Sequence, residues 1–209
     1  VCLATSGPGA TNLLTAIADA KLDSIPVVAI TGQVPTSLIG TDAFQEVDTY
    51  GLSIPITKHN FLVGSARELL EVIPKAFTLA ASGRPGPVLV DIPKDVQNER
   101  IEIGADEWPE PGQRQAAPVA NEDLIDEAAA MINAAQRPIF YLGGGVVHSE
   151  GALLAVELAE KAGLPTVMTL MALGAMPVDH DLSLGMLGMH GARCTNMALE
   201  ECDLLIAVG

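Results

Sequence analysis

Residues 25–60 read Ile25-Pro-Val-Val-Ala-Ile-Thr-Gly-Gln-Val-Pro-Thr-Ser-Leu-Ile-Gly-Thr-Asp-Ala-Phe-Gln-Glu-Val-Asp-Thr-Tyr-Gly-Leu-Ser-Ile-Pro-Ile-Thr-Lys-His-Asn60. The unbroken apolar run 25–30 predicts a strand buried on both faces, the pattern of a parallel sheet. The segment 31–60 opens on Thr-Gly and then keeps neither a helical nor a strand period, apart from a short helix predicted over 42–50. Long loops of this kind in compact domains usually carry function. Its mixture of small, apolar, amide and acidic side chains (Gln33, Phe44, Gln45, Glu46) suits a pocket wall. A surface connection without chemistry is the alternative.

Outward from this segment, residues 1–5 read as a strand, Ser6-Gly7-Pro8-Gly9 as a turn, and 10–22 as an amphipathic helix. After the loop come a strand over 60–63 and a helix capped by Ser65, with Glu68 three residues on, running to about Ala81. A turn at 82–86 leads to a buried strand at 87–92. The order β-α-β-loop-α-β is that of a doubly wound parallel sheet. Residues 95–120 change character, with Pro109, Pro111 and Pro118 following Pro93, several acids and no period; they read as a linker. A second unit follows: a helix capped by Asn121, a strand at 139–142 ending in Gly143-Gly144-Gly145, a helix from 149 or 150 to 162, and a strand at 165–170. A helix at 191–201 and a strand at 204–208 complete it. The fold class is α/β, with two parallel-sheet, Rossmann-like layers joined by a Pro-rich linker.

The chain has 209 residues, 49% hydrophobic but only 3% aromatic, so its core must be built from Ala, Val, Ile and Leu. A formal net charge of −15 disfavours binding to nucleic acid or to anionic membranes. The acids gathered at 102–110 and 121–127 read as solvated surface. Cys2, Cys194 and Cys202 have no metal spacing, and four scattered histidines form no ligand pattern, so no metal site is assigned. Apolar surroundings predict buried, reduced thiols and a cytosolic compartment. Both ends of the chain are strand-like, which predicts a segment of a longer protein.

Five features have positions suited to ligands. Ser6-Gly-Pro-Gly-Ala-Thr-Asn12 and Gly143-Gly144-Gly145 each lie between a strand and a helix, where glycine lets a ligand approach free N–H groups. A tight structural turn accounts for either equally well. Arg84, on the Gly83-Arg-Pro-Gly86 turn, is either a phosphate clamp or a surface cation. Lys94, at the carboxyl end of a strand, either recruits an anionic substrate or caps a helix in solvent. Leu187-Gly-Met-His-Gly191 either lies against a planar ligand or serves structure alone.

Taken together, Ser6–Asn12, Ile30-Thr-Gly-Gln-Val-Pro35, Ile39-Gly-Thr-Asp-Ala-Phe-Gln-Glu46, Ser82-Gly-Arg-Pro-Gly-Pro-Val-Leu-Val-Asp-Ile-Pro-Lys-Asp95, Met186–Gly191 and Glu201–Gly209 resemble the large catalytic subunits of acetolactate synthase. These are thiamine-diphosphate-dependent enzymes. The resemblance implies residues 1–95 as the later part of a pyrimidine-binding domain, 96–120 as linker and 121–209 as a central FAD-binding domain. It implies Gln45 and Phe44 facing the thiamine centre and Lys94 at the substrate entrance. Val34, Pro35, Ala43 and Lys94 would line the access channel. Arg84, Gly143, Gly144, Gly145, Thr169, Leu170, Leu187, Gly188, Met189, His190 and Gly209 would contact FAD.

The activity implied is decarboxylation of pyruvate and condensation with a second 2-keto acid to 2-acetolactate or 2-aceto-2-hydroxybutyrate, in branched-chain amino-acid biosynthesis. Thiamine diphosphate, Mg2+ and FAD are the implied cofactors. The implied setting is a cytoplasmic homodimer or homotetramer with a small regulatory subunit. Related carboligases or oxidases, of the pyruvate oxidase or glyoxylate carboligase type, are the alternative, as is a non-catalytic FAD-binding module. The family's activating glutamate and its magnesium-binding domain match nothing in these residues. The segment alone is therefore expected to be inactive and to hold FAD weakly or not at all.

Overall fold

The computed structural model describes residues 1–110 and 119–209. The chain divides into two compact units, Val1–Ala117 and Pro118–Gly209. In the first, strands β1 (Cys2–Ala4), β2 (Val28–Gln33), β3 (His59–Leu62) and β4 (Val88–Pro93) form a sheet in the order β1-β2-β4-β3, every pair parallel. Helix α1 (Pro8–Leu22) lies on one face, where Ile17 packs with Ala29 and Leu89. Helix α3 (Leu69–Ala81) lies on the other and buries Val72, Ala76 and Ala80 at helical spacing against Val88, Val90 and Ile92. Small residues along that stripe let the helix lie close on the sheet.

Strand β2 starts and ends three residues later than the apolar run predicts, taking Thr31, Gly32 and Gln33 from the expected loop. The Thr31 and Gln33 side chains find a partner on a neighbouring strand, so polar residues are tolerated there. The short helix predicted over 42–50 is displaced: α2 spans Thr49–Ser53, started by Asp48, whose carboxylate accepts from the Gly51 N–H at 2.8 Å. Glu46, not a helix, organises the preceding residues. Ser65 does accept from the Glu68 N–H at 3.3 Å, while the Glu68 carboxylate takes the Gly64 N–H, one residue outside the expected capping box.

A short helix, α4 (Lys94–Asn98), stands where an aperiodic stretch is expected. Beyond it Glu99 accepts from the Ala66 N–H and Glu107 pairs with Arg67 at 2.6 Å, fixing this stretch against the first unit. The rest of the expected linker, at 111–118, lies outside the described residues.

The second unit has strands β5 (Pro138–Leu142), β6 (Thr166–Met168), β7 (Ser183–Met186) and β8 (Leu204–Val208) in the order β7-β6-β5-β8, again all parallel. Helix α5 (Glu122–Ala134) precedes them, α6 (Gly144–His148) and α7 (Ala152–Ala162) lead from β5 to β6, and α8 (Arg193–Glu201) leads from β7 to β8. Phe140, Leu142, Ala159, Leu164 and Met168 form its core. Asp203 accepts from the Gln136 and Arg137 N–H groups, both at 2.8 Å, and so ties the entry of β8 to that of β5.

Two expectations are corrected in this unit. Gly143-Gly144-Gly145 is not a bare turn but the cap and first turn of α6. Strand β7 is not apparent in the sequence, because Gly185 sits in it at φ 73° and the pairing register shifts against β6. The cysteines are free, as expected, but none is buried: Cys194 is exposed and the other two are half-buried. Among the described residues no helix is long and apolar enough to cross a membrane.

Candidate functional site

Ligand crevices in parallel α/β sheets open at the carboxyl ends of the strands. In the first unit a cavity of ≈ 850 Å³ lies there, at the ends of β1, β2 and β4. Thr5, Ser6, Gly32, Gln45, Lys94 and Gln97 are among the residues lining it. Two of the residues singled out by sequence, Gln45 and Lys94, thus meet at one cavity although they lie far apart in the chain. Lys94 opens α4, where a cation is disfavoured by the helix dipole and cannot cap the helix. Its neighbour Asp95 takes the favourable role, accepting from the N–H and hydroxyl of Thr36. Lys94 is left as an exposed ammonium at the cavity rim.

Gln45 is held in a left-handed conformation, φ 60°, which residues other than glycine seldom adopt. Two neighbours impose it. Gly7 leaves room for it, since a Cβ on Gly7 would stand 2.8 Å from the Gln45 carbonyl oxygen. Glu46 then folds its carboxylate back over the N–H groups of Gly40, Thr41 and Ala43. The Gly40 hydrogen bond, helped by those of Ala43 and Thr41, keeps the Glu46 carboxyl below the usual carboxylate range. Phe44 is 88% exposed and is not among the cavity's lining residues. Val34 is buried, and Pro35 and Ala43 are half-buried on the same excursion.

Thr31 and Gln33, which also line the cavity, join a polar network centred on Asp91, a residue absent from the sequence-based site. Asp91, in β4, has no solvent exposure. Its oxygens accept from the Thr31 hydroxyl at 2.7 Å and the Gln33 amide at 3.0 Å. The same amide nitrogen donates to the Val47 carbonyl at 2.7 Å, and the Gln33 carbonyl accepts from the Val34 N–H at 2.8 Å. Burial pushes the Asp91 carboxyl up to about 6 against the pull of both hydrogen bonds, and nearby Asp48 adds to the rise.

Arg84 belongs to the opposite end of the sheet. It lines a second cavity of ≈ 700 Å³ with Lys21, Leu22 and Lys58. Its guanidinium donates to the Ser24 hydroxyl at 2.8 Å and the Leu22 carbonyl at 3.1 Å, tying the Gly83–Gly86 turn to the end of α1.

In the second unit the strand order reverses direction between β5 and its neighbours β6 and β8, and the carboxyl ends there carry the other expected residues. The glycines have an internal reason: a side chain on Gly143 would collide with the Gly209 carbonyl, and one on Gly145 would stand 2.8 Å from Gly209. A Cβ on Gly144 would come within 2.9 Å of Met171. Thr169 is different, because its Oγ1 is buried with no partner among the described residues. Beside it in sequence, Leu170 is 70% exposed, and Met189 is 90% exposed. Leu187 is half-buried; Gly188, at φ 89°, and His190 are exposed. Asn196 clamps Gly188 with two hydrogen bonds, 2.8 Å to its N–H and 2.9 Å to its carbonyl. An unpaired hydroxyl next in sequence to the uncovered Leu170 fits a ligand with polar edges and an apolar face, as a flavin has.

Sequence reasoning missed Asp91, Asn196 and the clamping role of Glu46. Asp91 left a signal, a lone acid inside Val88–Pro93, a strand with every residue buried. Among the described residues no cluster of three or more His, Cys, Asp or Glu side chains could hold a metal ion.

Residues 1–52 match the family model described as thiamine pyrophosphate enzyme, N-terminal TPP binding domain, and residues 125–209 match thiamine pyrophosphate enzyme, central domain. With two parallel-sheet units in that order, the chain belongs to the thiamine pyrophosphate enzymes. Over its whole length it is 64% identical to the acetolactate synthase isozyme 1 large subunit of Escherichia coli K12, covering 36% of that protein. It is 52% identical to the isozyme 2 large subunit of the same organism, covering 37% of it, and 51% identical to the acetolactate synthase large subunit of Corynebacterium glutamicum, covering 33%. The chain therefore spans about a third of the length of the curated relatives it matches.

Proposed function

We propose that the protein carrying this chain is the catalytic subunit of an acetolactate synthase. In this reading it decarboxylates pyruvate and joins the two-carbon unit to a second 2-keto acid, giving 2-acetolactate or 2-aceto-2-hydroxybutyrate for branched-chain amino-acid synthesis. The observation that carries the reading is the meeting of Gln45 and Lys94 at one cavity at the carboxyl end of the first sheet.

Thiamine diphosphate, when bound, supplies the carbanion stabilisation that the chemistry needs. This chain's residues bind and orient. Both substrates are carboxylates, and the chain's net charge of −15 repels them. Lys94 supplies a local cation at the rim that draws the carboxylate in. Gln45, polar at both ends of its amide, orients the 2-keto acid by donating to its oxygens. Phe44, beside it, contributes from outside the cavity described, and Val34, Pro35 and Ala43 shape the approach along the same excursion.

Thr169, Leu170 and Leu187–His190 would hold FAD in the central domain, with the Gly143–Gly145 and Gly209 backbone beside them. The flavin's role there is structural. Magnesium is assigned to no residue of this chain. Turnover belongs to the whole protein, working in the cytoplasm as a homo-oligomer with a small regulatory subunit.

The test is a product assay on the full-length protein with pyruvate, thiamine diphosphate, magnesium and FAD. Acetolactate is expected; acetyl phosphate or tartronate semialdehyde in its place would overturn the reading.

A further inference from the structure

An acid inside a strand that is buried throughout, with no ion-pair partner among the described residues, is costly unless its hydrogen bonds are needed. Those of Asp91 end on a particular backbone. Gln33 is the last residue of β2, and Val47, fourteen positions on, is where the chain returns. Both ends of the excursion close on one side-chain amide: the Val34 N–H on its oxygen and the Val47 carbonyl on its nitrogen. That amide can hold both only if it does not rotate, and Asp91 fixes it by accepting from the same nitrogen. Thr31, two residues back on the same face of β2, holds the other carboxylate oxygen and so sets the plane of the acid. Gln45 and Glu46 lie just before the return point.

We propose that Asp91 is a positioning residue which, acting through Gln33, fixes where the Val34–Val47 excursion leaves and rejoins the sheet and thereby holds Gln45 at the cavity. The part played by Gln45 in turnover rests on the proposed function; the tie itself does not.

The experiment uses the full-length protein with four variants: Asp91→Leu, Asp91→Asn, Gln33→Leu and Thr31→Val. Backbone amide exchange is followed over 34–47 and, as reference, over α3. The two leucine variants are expected to exchange about tenfold faster over 34–47 with α3 unchanged, the scale of one or two lost hydrogen bonds. Asp91→Asn restores protection, because its amide can accept from Gln33 and donate to Thr31. Thr31→Val, which leaves both ends of the excursion tied, keeps protection over 34–47.

In turnover the leucine variants lower kcat about tenfold with KM for pyruvate little changed, and Asp91→Asn recovers it. Unchanged exchange over 34–47 in Gln33→Leu overturns the proposal, and so does faster exchange spread equally over α3. If Asp91→Leu fails to fold, Gln33→Leu, at the strand end, decides alone. A wild-type protein without carboligase turnover defeats the proposed function only, and exchange still decides the tie.

Discussion

Gly7 and Gln45 touch backbone to backbone: an added Cβ on Gly7 would lie 2.9 Å from the Gln45 Cα. Both residues have positive φ, 63° and 60°. The turn that starts α1 and the end of the excursion are therefore shaped against each other, and neither can relax alone.

Gly7→Ala is expected to destabilise the first unit by about 1–3 kcal/mol, combining left-handed backbone strain with the clash. Because the clash falls on Gln45, turnover in the full-length protein drops by more than the folded fraction does. Urea unfolding and kcat, measured on the same sample, separate the two effects.

Lys94 is exposed and opens a helix, so its removal leaves the fold intact. Lys94→Met is expected to lower kcat/KM for pyruvate by roughly 10- to 100-fold, the scale of one hydrogen bond to a charged group. Lys94→Arg retains most of the activity, and the melting temperatures of both variants stay at the wild-type value. Steady-state kinetics over a pyruvate series checks this, and equal losses in both variants would count against a role for charge.

Asp91 makes stability fall as pH rises. Its carboxyl is raised from an ordinary 3.8 to about 6, so the folded state holds the proton longer than the unfolded state. Its favourable contribution is complete below 3.8, declines through about 6 and is flat above. The decline amounts to about 3 kcal/mol for a shift of about two units. Asp91→Asn cannot ionise and is expected to abolish it. Urea midpoints of wild type and variant across this range should diverge on the acid side of 6 and run parallel above it.

Thr169→Val removes an unpaired hydroxyl from a buried position. Without flavin the variant is expected to be more stable by about 1 kcal/mol, since an unsatisfied buried polar group is lost. With flavin the order reverses and less flavin is retained through gel filtration. Thermal melts with and without added FAD, together with flavin absorbance, measure both.

The strands were legible because buried parallel strands carry apolar runs, as at 28–30 and 88–90, and the turns because Gly and Pro mark them. Two elements were hidden by the same residue type. The glycines at 143–145 suggested a turn, yet they open a helix that needs them for its closeness to Gly209 and Met171. Gly185 disguised β7. Gln45 and Lys94 could be named from sequence, but their shared cavity depends on β4 lying next to β2, a crossover that no local pattern encodes. The resemblance implies Phe44 at the reactive centre, and in this fold its ring is exposed. The hydrogen bonds of Asp91, Glu46 and Asn196 are fixed by tertiary geometry. Their residue types alone give no direction.

Strand β4 joins the two ends of the first sheet in six residues, with the Arg84 turn before it and Lys94 directly after it. It is paired along both edges, so its register cannot slip locally. Side chains along a strand alternate in face, and one inserted or deleted residue would invert every position beyond it. Asp91 would then turn to the α3 side and Lys94 would rotate away from the cavity. The length of this strand should thus tolerate no insertion or deletion, even where its individual apolar residues exchange freely among Val, Ile and Leu.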